Sequence, residues 1–247
     1  MSLAPERRLV LFIHGFRGTA LGTWDRFPVL VEGQKKFQGC DLVFYGYSSK
    51  WQRTQVLAND FRDALDLLFS QPRILLQATA TESNRASDFR FEEVFLVAHS
   101  MGALVARQAL LDAFQMRYPW TSKVRLALFA PAHMGADLLR LCMQTLAPFP
   151  IPVSLAAHSI YPCLHDLVPT SQTINLVISR AKNLDPLSAK TFSAHGVWIA
   201  AHDQVVSPNA FPGDPPSKTI RGRTHISMCK PTNVSSQAFK GLETCIP

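Results

Sequence analysis

The feature that most constrains this chain is an apolar run that meets a helix-like run at a single serine. Residues 94–110 read VFLVAHSMGALVARQAL, and five of the first six are apolar. The first part is typical of a buried strand, and the Ala- and Leu-rich part after Ser100 is typical of a helix. A polar residue at such a join is explained if a tight strand-to-helix turn exposes it. The stretch therefore predicts a sheet flanked by helices, with a reactive serine at its edge.

Composition limits the class of protein and its partners. The chain has 247 residues, of which 47% are hydrophobic and 17% charged, as expected for one large α/β domain. The formal net charge is +7, but no basic run exceeds the pairs Arg7-Arg8 and Lys35-Lys36. Nucleic-acid binders concentrate such charge, so we expect no nucleic-acid partner. Peripheral contact with an anionic membrane surface is compatible with this charge, and no obligate protein partner is indicated.

Cysteines and histidines give no pattern of a metal or disulfide site. The five cysteines are odd in number, widely spaced and without a Cys-x-x-Cys pair, which favours reduced thiols and a cytoplasmic location. His195 and His202 flank an apolar stretch without a third plausible ligand, so we expect no metal. Phosphate-loop and dinucleotide motifs are missing from the sequence, so we expect no cofactor. No apolar run is long enough for a membrane span, and the one after Arg8 is too short for a signal peptide.

Hydrophobic periodicity predicts strands that alternate with helices. Helices are predicted at 24–37, 54–69 and 101–115, and a polar surface loop at 78–90. Apolar strands in such an alternation indicate an α/β fold with a mostly parallel sheet and helices on both faces. The predicted strands are 9–13, 41–47, 94–98, 124–130, 196–201 and, more weakly, 218–220.

One segment interrupts this alternation. The chain is expected to form a single domain, 1–247, in which approximately 136–185 is a helical cap inserted over the carboxyl edge of the sheet. A wide apolar arc in 136–146, followed by the proline-interrupted stretch 147–157, predicts an apolar roof over Ser100. Leu139 and Met143 are the expected substrate contacts in that roof. The alternative is that the arc is ordinary core.

The join at Ser100 has the small neighbours that a tight turn requires. Ala98 lies two residues before it and Gly102 two residues after it, where strand and helix backbones nearly touch. The helix that follows would direct its first N–H groups toward an anion that develops on a substrate. Ser100 is therefore the candidate nucleophile; the alternative is that it only caps the helix.

A serine nucleophile needs a base, and the base needs a carboxylate that orients it. His225 lies in a late polar loop after the last candidate strand, and Asp203 follows the strand at 196–201. Their order, Ser100…Asp203…His225, is that of an α/β-hydrolase. Asp185 and Asp166 are weaker candidates because no predicted strand precedes them.

The loop after the first strand predicts an oxyanion hole. His14, Gly15 and Phe16 follow that strand directly, and Gly15 permits a close backbone approach to a substrate. The expected donors are the backbone N–H groups of Phe16 and Met101. His14 is too near the first strand to serve as the base and is expected to contact substrate instead.

Six stretches of the chain carry a resemblance to a known family: VLFIHGFRG, LVFYGYSS, VFLVAHSMGALVARQAL, LALFAPAHMGAD, AHDQVVSP and THISMCKP. Together they resemble the lipase-like α/β-hydrolases that include GPI inositol-deacylase-like proteins and the serine active site-containing protein family. The resemblance covers nearly the whole chain. It implies that Ser100, Asp203 and His225 match the family's triad and that Phe16 and Met101 match its oxyanion positions. Two departures affect the pocket: Ala98 replaces the usual first glycine, and APAHMGAD replaces the commoner Thr-Pro-x-x-Gly-Ser.

The expected activity is hydrolysis of a carboxylic ester with an apolar acyl group, by a serine hydrolase that acts on a small-molecule or lipid ester. The same triad would serve a thioesterase or an acyltransferase, so both remain alternatives. A binding module without enzymatic activity is a third alternative, and it would be indicated by the loss of a triad residue.

Overall fold

The computed structural model describes residues 7–76, 86, 88–146, 161–207 and 209–246. Their centre is a six-stranded sheet with the strand order β2-β1-β3-β4-β5-β6, in which every neighbouring pair is parallel. The chain runs from β1 to the edge strand β2 and then crosses back over β1 to β3, so that β1 and β3 are neighbours inside the sheet. The strands are β1 Arg8–Ile13, β2 Cys40–Tyr45, β3 Glu93–His99, β4 Val124–Phe129, β5 Ala194–Ala200 and β6 Lys218–Ile220.

Helices connect the strands. Within the described ranges, no helix has the length and apolar character required to cross a bilayer. Short 3₁₀ turns lie at Lys35–Phe37, Pro119–Lys123 and Ala132–Met134. The α-helices are α1 Phe27–Leu30, α2 Thr54–Ser70, α3 Pro72–Leu76, α4 Met101–Gln115, α5 Leu138–Leu146, α6 Pro162–Asp166, α7 Gln172–Lys182, α8 Pro186–Phe192 and α9 Gln237–Cys245.

Both faces of the sheet are covered. Residues 9–13 of β1 are all fully buried, although successive side chains of a strand point to opposite faces. The same holds for 94–98 of β3. Helix α4 is itself enclosed, with 12 of its 15 residues buried. These observations confirm the predicted α/β class with a parallel sheet between helices.

The predicted helix at 24–37 is wrong in extent. Only α1 and a 3₁₀ turn form there, because two residues with positive φ bound the segment. Asp25 has a φ of 50° and Gly33 has a φ of 73°, and neither value continues a right-handed helix. Helix α1, four residues long, lies between them.

The second strand is shorter than predicted and ends at Tyr45 rather than Tyr47. The Tyr47 N–H donates to the His14 ring Nε2 (3.3 Å), and its hydroxyl donates to the His14 backbone oxygen (2.6 Å). Tyr47 is therefore not part of β2 but is hydrogen-bonded to the loop after β1. Most of the predicted loop at 78–90 lies outside the described residues.

The segment predicted as a cap contains α5, α6 and α7, and its stretch 147–157 lies outside the described residues. The described start of the segment is tied to the loop after β5. The Asp137 N–H donates to the Val205 oxygen (2.6 Å), and Ala136 forms an antiparallel bridge with Val206. The loop that carries Asp203 is thus anchored to this segment.

A buried ion pair connects α4 to the loop before β6. Arg107 and Asp214 are paired through the Arg107 Nη2, at 2.6 and 2.5 Å from the two carboxylate oxygens, with side chains 0% and 2% exposed. The Arg107 Nε donates to the His133 Nδ1 (3.0 Å), and Asp214 also accepts from the Ala194 N–H (3.0 Å). Burial, together with the Arg107 charge, holds the pKa of His133 well below its ordinary value, so this ring stays neutral and accepts.

Replacing Arg107 should destabilise the fold strongly. Arg107→Met leaves the buried Asp214 carboxylate without a positive charge beside it, which should cost about 3–5 kcal/mol of unfolding free energy. Urea denaturation followed by circular dichroism measures this. Arg7→Met is the control, since Arg7 pairs with Glu92 where both side chains are more than half exposed, and its effect should stay within about 1 kcal/mol. Equal small effects for both variants would contradict the account.

Candidate active site

Ser100 occupies a strained turn between β3 and α4. Its φ is 53° and its ψ is −123°, a region that residues with a side chain rarely adopt. Such a conformation costs on the order of 1–3 kcal/mol and persists only where the surroundings impose it. The Ser100 N–H donates to the Phe129 backbone oxygen (3.0 Å), and the Ser100 backbone oxygen accepts from the Ala103 and Ala132 N–H groups. These contacts hold the turn and direct the side chain out of the carboxyl edge.

Two glycines allow the loop after β1 to lie against this turn. A Cβ atom on Gly102 would come within 2.4 Å of the His14 backbone oxygen and 2.8 Å of the Ile13 oxygen. A Cβ atom on Gly15 would come within 2.7 Å of the Ser100 Cβ. All three distances are shorter than the contacts that Cβ atoms make in proteins, so glycine is required at both positions. The loop and the start of α4 are therefore in direct backbone contact.

The structure brings Ser100, His225 and Asp203 together. The His225 Nε2 lies 2.9 Å from the Ser100 Oγ, and the His225 Nδ1 lies 3.0 Å from the Asp203 Oδ2. Because the carboxylate only accepts, Nδ1 carries the hydrogen and Nε2 accepts from the Ser100 hydroxyl. All three side chains are almost fully buried. Each follows a different strand: Ser100 follows β3, Asp203 follows β5, and His225 lies in the loop after β6.

Asp203 is held as a carboxylate. Burial alone would raise its pKa, but the hydrogen bond and charge of His225 and two backbone donors outweigh that, so the pKa is lowered. The backbone donors are the Val205 and Val206 N–H groups, which reach Oδ1 at 2.9 and 3.2 Å. One oxygen is thus fixed by the backbone and the other faces the imidazole.

The two weaker carboxylate candidates have other partners. Asp166 pairs with Arg53 and accepts from the N–H and hydroxyl of Thr54, away from His225. Asp185 caps the start of α8 by accepting from the Leu187 and Ser188 N–H groups. Neither carboxylate contacts His225.

His99 contacts the backbone of His225 and stays neutral. Burial and the nearby His225 charge lower the pKa of His99 to about 3. Its Nε2 lies 3.0 Å from the His225 backbone oxygen, an acceptor, so this nitrogen carries the hydrogen. The two rings are 5.0 Å apart. His99 therefore holds the His225 backbone without placing a second positive charge beside the imidazole.

The predicted oxyanion donors lie on the two segments that meet at Ser100. Phe16 follows Gly15, and Met101 is the first residue of α4. Among the hydrogen bonds of the described residues, none uses the backbone N–H of Phe16 or of Met101. Both donors are thus available to a bound group.

A cavity of about 310 Å³ opens beside Ser100 and His225. Its apolar wall is formed by Phe16, Leu141 and Ile226, and its polar wall includes Arg17, Gln144 and Lys230. Buried Gln144 Oε1 has no hydrogen-bond partner in the described part of the chain. A volume of this size, with both apolar and polar walls, fits a small organic molecule.

Three predicted substrate contacts lie away from this cavity. His14 is buried behind it, with its ring stacked on Tyr47 at 4.2 Å and hydrogen-bonded at both nitrogens. Leu139 and Met143 are 41% and 46% exposed, because α5 turns its other face inward. None of the three lines the described cavity, so a substrate contact at these residues stays a prediction.

The cavity instead contains residues that sequence reasoning missed. Leu141 and Gln144 lie on the inner face of α5, which periodicity could not distinguish in a helix that is apolar over most of its surface. Arg17 and Lys230 could have been noticed from their position, since each lies within five residues of a predicted site residue. Within the described ranges, no group of three or more His, Cys, Asp or Glu side chains could hold a metal ion.

Comparison with known proteins places the fold. No protein-family model and no curated protein matches the sequence. A lipase from Bacillus licheniformis is similar over 97% of this chain and 93% of its own, with 15% identity and a TM-score of 0.60. A phospholipase from Legionella pneumophila is similar over 97% of this chain and 59% of its own, with 13% identity and a TM-score of 0.60.

A third solved structure carries the name of the fold. A peroxisomal α/β-hydrolase from Saccharomyces cerevisiae is similar over 99% of this chain and 76% of its own, with 12% identity and a TM-score of 0.50. At such low identities the likeness concerns the fold alone. Together with the parallel sheet and the turn at Ser100, it shows that this chain has the α/β-hydrolase fold.

Proposed function

We propose that this protein is a serine hydrolase that cleaves carboxylic esters through a covalent acyl-enzyme. The observation that carries the proposal is the hydrogen-bonded series Asp203–His225–Ser100, which ends at the cavity. Nucleophile, base and orienting carboxylate have the mutual geometry that serine catalysis requires. The lipase among the similar folds is consistent with this reaction.

In the first half-reaction, the Ser100 Oγ attacks the ester carbonyl carbon and the His225 Nε2 takes the hydroxyl proton. The carbonyl oxygen becomes an oxyanion, which accepts from the Phe16 and Met101 N–H groups. The bond to the alcohol oxygen then breaks, and His225 gives its proton to that oxygen. The acyl group stays on Ser100 and the alcohol leaves.

In the second half-reaction, water attacks the acyl carbon while His225 takes its proton. The intermediate collapses, the proton passes from His225 to the Ser100 Oγ, and the acid is released. Asp203 holds the imidazole in the required tautomer and stabilises its transient positive charge. The low pKa of Asp203 suits this role, because the carboxylate stays ionised throughout.

An apolar acyl group is favoured by the wall formed by Phe16, Leu141 and Ile226. The resemblance to the GPI inositol-deacylase-like group belongs to this proposal, as do lipid esters as substrates. Thioesters, or an acceptor alcohol in place of water, would use the same residues, and analysis of the released products separates these reactions. A role in binding alone would give no reason to keep Ser100 in a strained conformation.

Ser100 should be the residue that reacts with an organophosphonate probe. Mass spectrometry of the labelled protein should find the adduct on the peptide that contains Ser100. Ser100→Ala should abolish labelling and reduce ester turnover roughly a million-fold, as in triads that act as a unit. Ser227→Ala, which changes a serine two residues from His225, is the control and should keep the label. Labelling that survives Ser100→Ala would refute the proposal.

Asp203→Asn should fold normally and reduce kcat roughly ten-thousand-fold, because the imidazole then adopts the wrong tautomer. Asp185→Asn and Asp166→Asn are matched substitutions of carboxylates that do not contact His225. Steady-state kinetics on a chromogenic ester compares the three. If either control lost activity while Asp203→Asn retained it, the orienting carboxylate would be misassigned.

In a profile measured from about pH 5 to 8, kcat/KM should depend on a single proton and rise with pH, because only neutral His225 can accept the Ser100 proton. Burial lowers the pKa of both neighbours, His14 and His99, the latter to about 3. A lowered pKa favours the neutral form, so neither ring adds a step in this range. A logarithmic plot of kcat/KM against pH with a slope of two, or with no slope, would contradict this assignment.

A further inference from the structure

Two cationic side chains line the catalytic cavity, and two more line the groove beside it. Arg17 and Lys230 form part of the cavity that contains Ser100. Lys230 also lines a second groove of about 380 Å³, together with Arg221 and Arg223. None of the described residues that line either space is Asp or Glu. The two spaces therefore adjoin at Lys230 and have the same sign of charge.

These four cations lack the carboxylate partner that several arginines of the chain have. Arg53, Arg107 and Arg180 each pair with a carboxylate. In the described part of the chain, none of the four lies within ion-pair distance of a carboxylate. The polar side-chain contacts found there are neutral. The Arg17 Nη1 donates to the Tyr161 hydroxyl (3.3 Å), and the Arg223 Nη2 donates to the Thr232 Oγ1 (3.5 Å).

The groove meets the catalytic cavity, which His225 lines, at Lys230. In the proposed reaction, His225 gives its proton to the alcohol oxygen, so that oxygen must lie against His225. Arg221, Arg223 and Lys230 belong to the same chain segment as His225, within five residues of it. An alcohol part that extends from Ser100 past His225 and Lys230 would therefore lie against these cations. Charges collected there favour a substrate whose alcohol part is anionic.

We infer that this groove is a phosphate subsite and that the preferred substrate is an ester whose alcohol part carries a phosphate group. The inference rests on the proposed function, because the catalytic geometry sets the direction of the alcohol. A phosphate has several acceptor oxygens and matches guanidinium and ammonium donors better than a single carboxylate does. Ser235 lines the same groove, and its hydroxyl supplies a neutral donor.

The test compares two esters that differ only in the phosphate: 1-butyrylglycerol 3-phosphate and 1-butyrylglycerol. The short acyl chain keeps both in solution, so attraction to a lipid surface plays no part. The wild-type ratio of kcat/KM, phosphorylated over neutral, should exceed about ten, since one charge-assisted hydrogen bond contributes about that factor. The ratio should fall as salt is added.

Three substitutions, each removing one positive charge, locate the effect. Lys230→Gln and Arg223→Gln should each lower the ratio about tenfold. Lys218→Gln removes a charge from the exposed start of β6, outside both spaces, and should leave the ratio unchanged. Equal effects of all three variants would indicate net charge alone and would overturn the subsite.

A lipid arm separates the two sources of phosphate. The long-chain pair, 1-oleoylglycerol 3-phosphate and 1-oleoylglycerol, is presented in neutral phosphatidylcholine vesicles at equal mole fraction. A preference for the phosphorylated ester in both the soluble and the vesicle assay supports a subsite that accepts lipids. A preference in solution alone supports a subsite for soluble phosphate esters. A preference that appears only on vesicles would mean attraction to a charged surface, and the subsite would be wrong.

A binding measurement separates this inference from the proposed function. Calorimetric titration of the Ser100→Ala protein with glycerol 3-phosphate should show binding that glycerol lacks, and Lys230→Gln in that background should weaken it about tenfold. If wild type hydrolyses 1-butyrylglycerol but the ratio is near one and glycerol 3-phosphate does not bind, the subsite fails while the hydrolase stands. If glycerol 3-phosphate binds but no ester is cleaved, the hydrolase fails.

Discussion

The contact between the loop after β1 and the N-terminus of α4 is the constraint on which the site depends. Gly15 and Gly102 leave no room for a Cβ atom, and this places the Phe16 and Met101 N–H groups on the two segments that meet at Ser100. Ser100, which lies at this contact, has a positive φ. A buried parallel sheet makes this arrangement stable, because β1 and β3 are neighbouring strands and their carboxyl ends lie side by side at the same edge.

Burial keeps the charges of the site in order. Three histidines, His14, His99 and His225, lie near Ser100, and burial lowers the pKa of the first two. The neutral rings of His14 and His99 form hydrogen bonds with the loops around the site. The His225 ring is the one that forms a hydrogen bond with Ser100. Elsewhere, the buried pair of Arg107 and Asp214 ties α4 to the chain before β6. The framework thus isolates one imidazole with one carboxylate.

Much of the fold could be predicted because buried parallel strands are continuous apolar runs with polar ends. The predicted bounds of α4 coincide with those of the structure, and β3 differs by one residue at each end. Ser100, Asp203 and His225 were identifiable because each follows a strand or lies in a late polar loop, and chain order limits the choice. Helix 24–37 was mispredicted because the positive φ of Asp25 is a tertiary feature that a non-glycine residue does not signal. The cavity wall was mispredicted because α5 is apolar on most sides, and only packing decides that Leu141 rather than Leu139 faces inward.

The central claim, that Ser100 carries the acyl group, is tested most directly by rapid-quench mass spectrometry. The protein is mixed with excess 4-nitrophenyl butyrate, quenched in acid within milliseconds, and digested. The account predicts a burst of 4-nitrophenol near one equivalent of protein when deacylation is the slower step. It also predicts a butyryl group on the peptide that contains Ser100 in the wild-type protein. A butyryl group on another residue would contradict the account. So would ester turnover with no butyryl group on Ser100 under conditions in which deacylation is the slower step.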